Sequence, residues 1–175
     1  WKEPLLDTWT PPGELEAKGK RRSYMAPEED WQHVRLAATA KELAAAGVRV
    51  NLGGHGQLQG LGPHWEMWGL VDGGWSNADA LHAATQNGAD YLGMGGDIGS
   101  LTPGKLAELV VVAGDPLQDI QDSDNVVYVL RSGTLYASST LEGVWPNQGG
   151  PEVVRWWTQD GPQLPFADFG CGHSH

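Results

Sequence analysis

The chain has 175 residues, 40% of them hydrophobic and 19% charged, and a formal net charge of -11. That excess of negative charge repels phosphate backbones and anionic lipid, so nucleic acid and membrane surfaces are poor candidate partners. A single cysteine, Cys171, rules out an internal disulfide, and no apolar run of about 18 residues exists to span a bilayer.

The 25 Gly, 11 Pro and 9 Trp predict many turns, long loops and aromatic anchors. Neither a basic nor an apolar targeting stretch opens the sequence at Trp1, so something is expected to have preceded it. Residues 1–30 are rich in Pro, Gly and charge (Pro11-Pro12-Gly13, then Lys18 to Arg22) and read as a loop or linker with no element longer than a turn.

Asp30 is a candidate N-cap for a helix in which Trp31, Val34, Ala38 and Leu43 recur at helical spacing as far as Gly47. Val48, Val50 and Leu52 alternate in a short strand that ends at Gly53-Gly54, and a helix feeding a buried strand is an α/β signature. His64 to Val71 forms a further short helix closed by Gly73-Gly74. Ser76 and Asp79 then supply a capping box for a helix from about Asn77, interrupted near Asn87-Gly88 and ending around Gly93.

From Ile98 the period becomes two. Strands are expected at Lys105–Val112, Asn125–Arg131 and, after a Ser132-Gly133 turn, Thr134–Ala137. A sheet that small needs partners to cover it. Beyond Ser138 the chain is expected to be irregular, with Trp145, Trp156, Trp157, Phe166 and Phe169 as aromatic anchors. The organisation is therefore a 1–30 linker, a 31–93 α/β unit, a 94–140 β unit and a 141–175 tail.

Several polar residues are candidates for chemistry. His55 stands on a glycine-rich loop after a strand, where an ordinary histidine is solvated or bonded to the loop. Gln57 and Gln59 could bond a substrate amide or the loop backbone. His64 and Glu66, two apart on a helix, point to different faces, so one of them could line a pocket mouth but they do not form a joint pair; His64 could equally serve the helix start. Trp65 and Trp68 are assigned to packing. Cys171-Gly172-His173-Ser174-His175 has metal-ligand residue types but lacks the second pair a closed zinc site requires.

The run Ala83-Ala84-Thr85-Gln86-Asn87-Gly88-Ala89-Asp90-Tyr91-Leu92-Gly93-Met94, followed by Gly99-Ser100-Leu101-Thr102-Pro103-Gly104-Lys105-Leu106-Ala107-Glu108-Leu109-Val110-Val111 and Asp115-Pro116-Leu117, resembles the segment with which metal-dependent amidohydrolases leave their barrel. Val129 to Tyr136 is similar to the family's closing hairpin, and the likeness covers roughly residues 31–140. The string from His55 to Glu66 resembles the amidohydrolase subgroup often joined to a Tol-type β-propeller region.

This resemblance implies the C-terminal end of a (β/α)8 TIM-like barrel plus part of a small composite β-sandwich domain, a fragment whose partner is the missing N-terminal barrel portion. Active sites of such barrels lie beyond the C-terminal ends of the strands. That locates chemistry at Leu52 to Gln57, where His55 stands in place of the family's metal-binding aspartate and could act as base or ligand. Gln57, His64 and Glu66 become substrate-binding candidates.

The implied reaction is hydrolysis of an amide or cyclic amide C–N bond in a small molecule, with a divalent metal, zinc by analogy, supplied in the full-length protein. The family's remaining ligands have no counterparts here, so the isolated chain is expected to be inactive. The likeness also implies export by a bacterium. The competing reading is a non-catalytic module that docks on a protein or glycan through Trp145, Trp156 and Trp157; one half of a split enzyme is a third.

Overall fold

A computed structural model describes residues 10–19, 27–54, 58 and 60–150. It is a mixed α/β arrangement: helices α1 (Pro12–Gly19), α2 (Gln32–Ala45), α3 (Gly62–Asp72), α4 (Asn77–Ala84) and α5 (Gln86–Tyr91), then a sheet of β1 (Leu109–Val112), β2 (Val126–Arg131), β3 (Thr134–Ala137) and β4 (Gly143–Trp145). A 3-10 turn at Ile120–Asp124 connects β1 to β2.

The core lies among the helices. Ala37 of α2, Met67 and Leu70 of α3, Trp75, and Ala80 and Ala83 of α4 are buried together with Ile120 of the 3-10 turn. Alanines at the contacts let the helix backbones approach closely, and Trp75 fills the space left between them. Its indole N–H donates to the Ala37 carbonyl at 2.9 Å, so the one polar atom of a buried ring is satisfied. Among the described residues no helix is long and apolar enough to cross a membrane.

The sheet is an antiparallel meander in the order β1-β2-β3-β4. Leu109 pairs with Leu130, Tyr128 with Ala137 and Leu135 with Trp145. The β2–β3 turn falls on Ser132-Gly133 as expected, with φ of 50° and 79°. Two positive φ values are what a tight two-residue hairpin requires of a right-twisted ribbon. Unlike the helices, the strands contribute nothing to the buried core: Val110 is 60% and Val111 46% exposed, on opposite faces of β1.

Several expectations from the sequence are corrected. Residues 1–30 hold an eight-residue helix, α1, because Pro12 suits a first helical turn and Glu14, Leu15, Glu16 and Ala17 are strong helix formers. The cap of α2 is Trp31, since Asp30 is drawn into a 3-10 turn over Glu28–Asp30. Residues 48–52 form no ladder among the described residues. β1 starts at Leu109 because residues before it are taken up in loop bonds, among them Lys105 N–H to Thr102 and Leu106 N–H to Asp97. The helix break falls at Thr85, two residues before Asn87-Gly88, and the stretch after Ser138 holds β4. The Ser76 cap of α4 is as expected: its hydroxyl accepts from Asp79 N–H at 3.1 Å.

Candidate active-site loop

The segment 48–54 is held by the helices around it. The Asn87 side-chain amide donates to the Val50 carbonyl at 2.7 Å, and Leu52 N–H reaches the Ala83 carbonyl at 3.4 Å. At its end the carboxylate of Glu66 takes over: Gly53 N–H lies 3.0 and 3.1 Å from its two oxygens, and Gly54 N–H 2.7 Å from Oε2. Bonds to an ionised acceptor are stronger than neutral ones, and here they end the segment where the candidate loop begins.

Gly54 could not be another residue without strain. Its φ is +54°, and a Cβ there would stand 3.3 Å from Cγ of Pro63, which opens α3. The glycine pair therefore allows both the left-handed turn and the close approach of α3 that delivers Glu66.

His64 faces elsewhere. Its Nδ1 lies 3.2 Å from the hydroxyl of Ser123, a buried residue of the 3-10 turn, and Trp68 Nε1 donates to the same hydroxyl at 3.1 Å and to the Ile120 carbonyl at 3.0 Å. Burial holds the imidazole below its usual pKa, and the nearby charge of Asp124 offsets part of that effect. A serine and a histidine in contact invite comparison with a nucleophile and its base, but this hydroxyl already accepts the Trp68 N–H and sits in the packed core. The arrangement joins helix to turn.

Of the residues singled out from sequence, His55, Gln57 and Gln59 lie outside the described residues, as do the Cys171–His175 motif and Trp156, Trp157, Phe166 and Phe169. His64 and Glu66 meet separate partners, as their spacing on α3 demands. Both Glu66 oxygens, expected at a substrate, are engaged with the protein's own backbone. Ser123 and Asn87 were missed as anchors. Asn87 read as a helix breaker, and nothing in the sequence around Ser123 links it to a residue so far away.

Among the described residues no group of three or more His, Cys, Asp or Glu is placed to hold a metal ion.

Residues 32–136 match the model of the amidohydrolase family. A solved Xaa-Pro dipeptidase with bound methionine in its active site is 26% identical, with a TM-score of 0.55 over 77% of this chain and 34% of that one. A putative prolidase from Bifidobacterium longum is 31% identical, with a TM-score of 0.51 over 68% of this chain and 27% of that one. The chain thus spans about a third or less of the length of these structures. No curated protein matches it.

Proposed function

The chain belongs to the amidohydrolase family, and from that premise we propose that it is part of a hydrolase that cleaves amide C–N bonds in small molecules, with the loop after Gly54 at the reacting end. The observation that carries this reading is the anchored segment 48–54. Its end is fixed by Glu66, and the sequence continues directly into His55.

In this reading the chain is the last part of a TIM-like barrel, over residues 31–93, followed by a share of a composite β domain over 94–140. Residues 1–30 serve as linker and 141–175 as an aromatic tail. The remainder of the barrel comes from an N-terminal portion, without which the 175 residues are inactive. His55 moves a proton as water attacks the amide carbon, a role neutral imidazole can fill near neutral pH. Gln57 is the substrate-binding candidate of this loop, whereas His64, bonded to Ser123, serves the fold.

A divalent metal, zinc in analogy with the family, would draw its ligands from His55 and from residues outside those described, and would supply polarisation of the amide oxygen. Membership of the propeller-linked subgroup and export by a bacterium belong to the same proposal. The likeness to a dipeptidase and a putative prolidase widens the candidate substrates from cyclic and simple amides to Xaa-Pro dipeptides.

The test is an assay of the hydrolase that contains this chain, on Xaa-Pro dipeptides and on N-acyl and cyclic amides, for wild type and His55→Ala. Loss of a proton-transfer group lowers kcat/KM by about 100-fold or more with folding intact. Undiminished activity in His55→Ala rejects the assignment.

A further inference from the structure

We infer that Glu66 is a positioning residue, which clamps the backbone of Gly53 and Gly54 and so fixes where the chain enters the segment that carries His55. This deepens the proposed function and rests on its assignment of chemistry to that segment.

Three features support the clamp. Both carboxylate oxygens face the protein, receiving two adjacent backbone N–H groups at distances of 2.7 to 3.1 Å. A substrate-binding carboxylate would direct an oxygen at open space. The clamped residues are glycines, which have no side chains to pack and one of which sits at φ +54°, so backbone bonds must supply the rigidity that side chains supply elsewhere.

The clamp also completes a series. Asn87 holds Val50, Ala83 holds Leu52 and Glu66 holds the last two residues before the loop; Ala83 and Glu66 stand on helices of the same core, and Asn87 on α5, which follows α4 directly. Glu66 is itself half-buried on α3, between the buried Met67 and the exposed Trp65, so its helix does not move independently of that core. A reacting group delivered from a loose loop loses rate through misplacement, whereas one delivered from a pinned backbone does not.

The experiment compares Glu66→Gln and Glu66→Asp with wild type in the hydrolase that contains this chain. Gln keeps the shape, but with its one oxygen at the Oε2 position it loses the charge and turns an amide N–H2 toward the Gly53 N–H; Asp keeps the charge but withdraws it. Misplacement predicts that Glu66→Gln lowers kcat by about 10- to 100-fold with KM within about twofold, and that Glu66→Asp falls between. Adding Glu66→Gln to His55→Ala causes no further loss. In backbone N–H spectra of the same hydrolase labelled at glycine, the Gly53 and Gly54 signals move upfield in Glu66→Gln.

A rise in KM at constant kcat makes Glu66 a substrate contact and overturns the proposal. So do unmoved glycine signals, or a loss of thermal stability with undiminished kcat, which is a structural role alone. Full activity in His55→Ala overturns the loop assignment and the positioning role together. Loss in His55→Ala without loss in Glu66→Gln overturns the positioning role only.

Discussion

The imidazole of His64 and the hydroxyl of Ser123 meet at 3.2 Å across 59 residues of sequence, and their contact joins α3 to the turn that leads into the sheet. Trp68 can only donate, and it donates to Ser123 Oγ at 3.1 Å, which leaves the serine its own proton to give to Nδ1 of a neutral His64 in the tautomer protonated at Nε2.

Protonating His64 removes that acceptor. Because burial lowers its folded pKa, with Asp124 opposing, the unfolded chain binds the proton more readily. The contribution is therefore complete above the unfolded value of 6.5 and is lost as pH falls from there through the lower folded pKa. Melting temperature should decline from about pH 7 to pH 5, and His64→Gln, which keeps an acceptor that does not titrate there, should flatten part of that decline. Equal slopes in the two proteins would show that His64 is not the group responsible.

Ser123→Ala tests the same junction without a titration. Trp68 keeps the Ile120 carbonyl, but His64 loses its donor at a partly desolvated site, which costs about 1 kcal/mol. The urea midpoint should fall at constant m-value, and Ser123→Thr should recover part of it if the added methyl is accommodated. An unchanged midpoint in Ser123→Ala would mean that water replaces the hydroxyl without loss.

At the start of α4, Ser76 accepts the Asp79 N–H and its own hydroxyl lies 2.6 Å from the Asp79 carboxylate. Ser76→Ala should lower stability by about 1 kcal/mol, and Ser76→Gly by only a few tenths. Denaturation of the two variants side by side checks the order, and the reverse order would show that the cap does not hold the helix.

How much of this was legible beforehand depended on whether the determinant was local. The Ser76 cap, the Ser132-Gly133 hairpin and the helix ending before Gly47 each follow from a few adjacent residues, and they are found where expected. His64 and Glu66 were correctly separated because i and i+2 diverge on any helix. What they touch was not legible, since Gly53 and Ser123 reach them through packing of distant segments. The segment 48–52 had a strand's alternation, but a ladder needs a neighbour, and the segment is held instead by the Asn87 side-chain amide and the Ala83 carbonyl. Asp30 failed as a cap because Pro27 starts a competing turn one step earlier.

Two glycines, one just past α3 and one within α5, separate space from conformation. Gly73 follows α3 with φ of -77°, which any residue adopts, yet a Cβ there would overlap Cβ of Ala37 and stand 2.8 Å from the Ala37 carbonyl carbon and the Ala38 nitrogen. Backbone atoms of a packed helix cannot step aside singly, so Gly73→Ala must push α2 away from α3 and should cost about 1–3 kcal/mol. Gly88 lies within α5 away from positive φ, and a Cβ added to it would meet nothing within 4 Å. Gly88→Ala should therefore stabilise by about 0.5–1 kcal/mol, through helix propensity and a less flexible unfolded chain. Thermal unfolding of the two variants should shift in opposite directions. A destabilised Gly88→Ala would show that α5 needs its glycine, and an unaffected Gly73→Ala would show that α2 and α3 are not in the close contact on which the core depends.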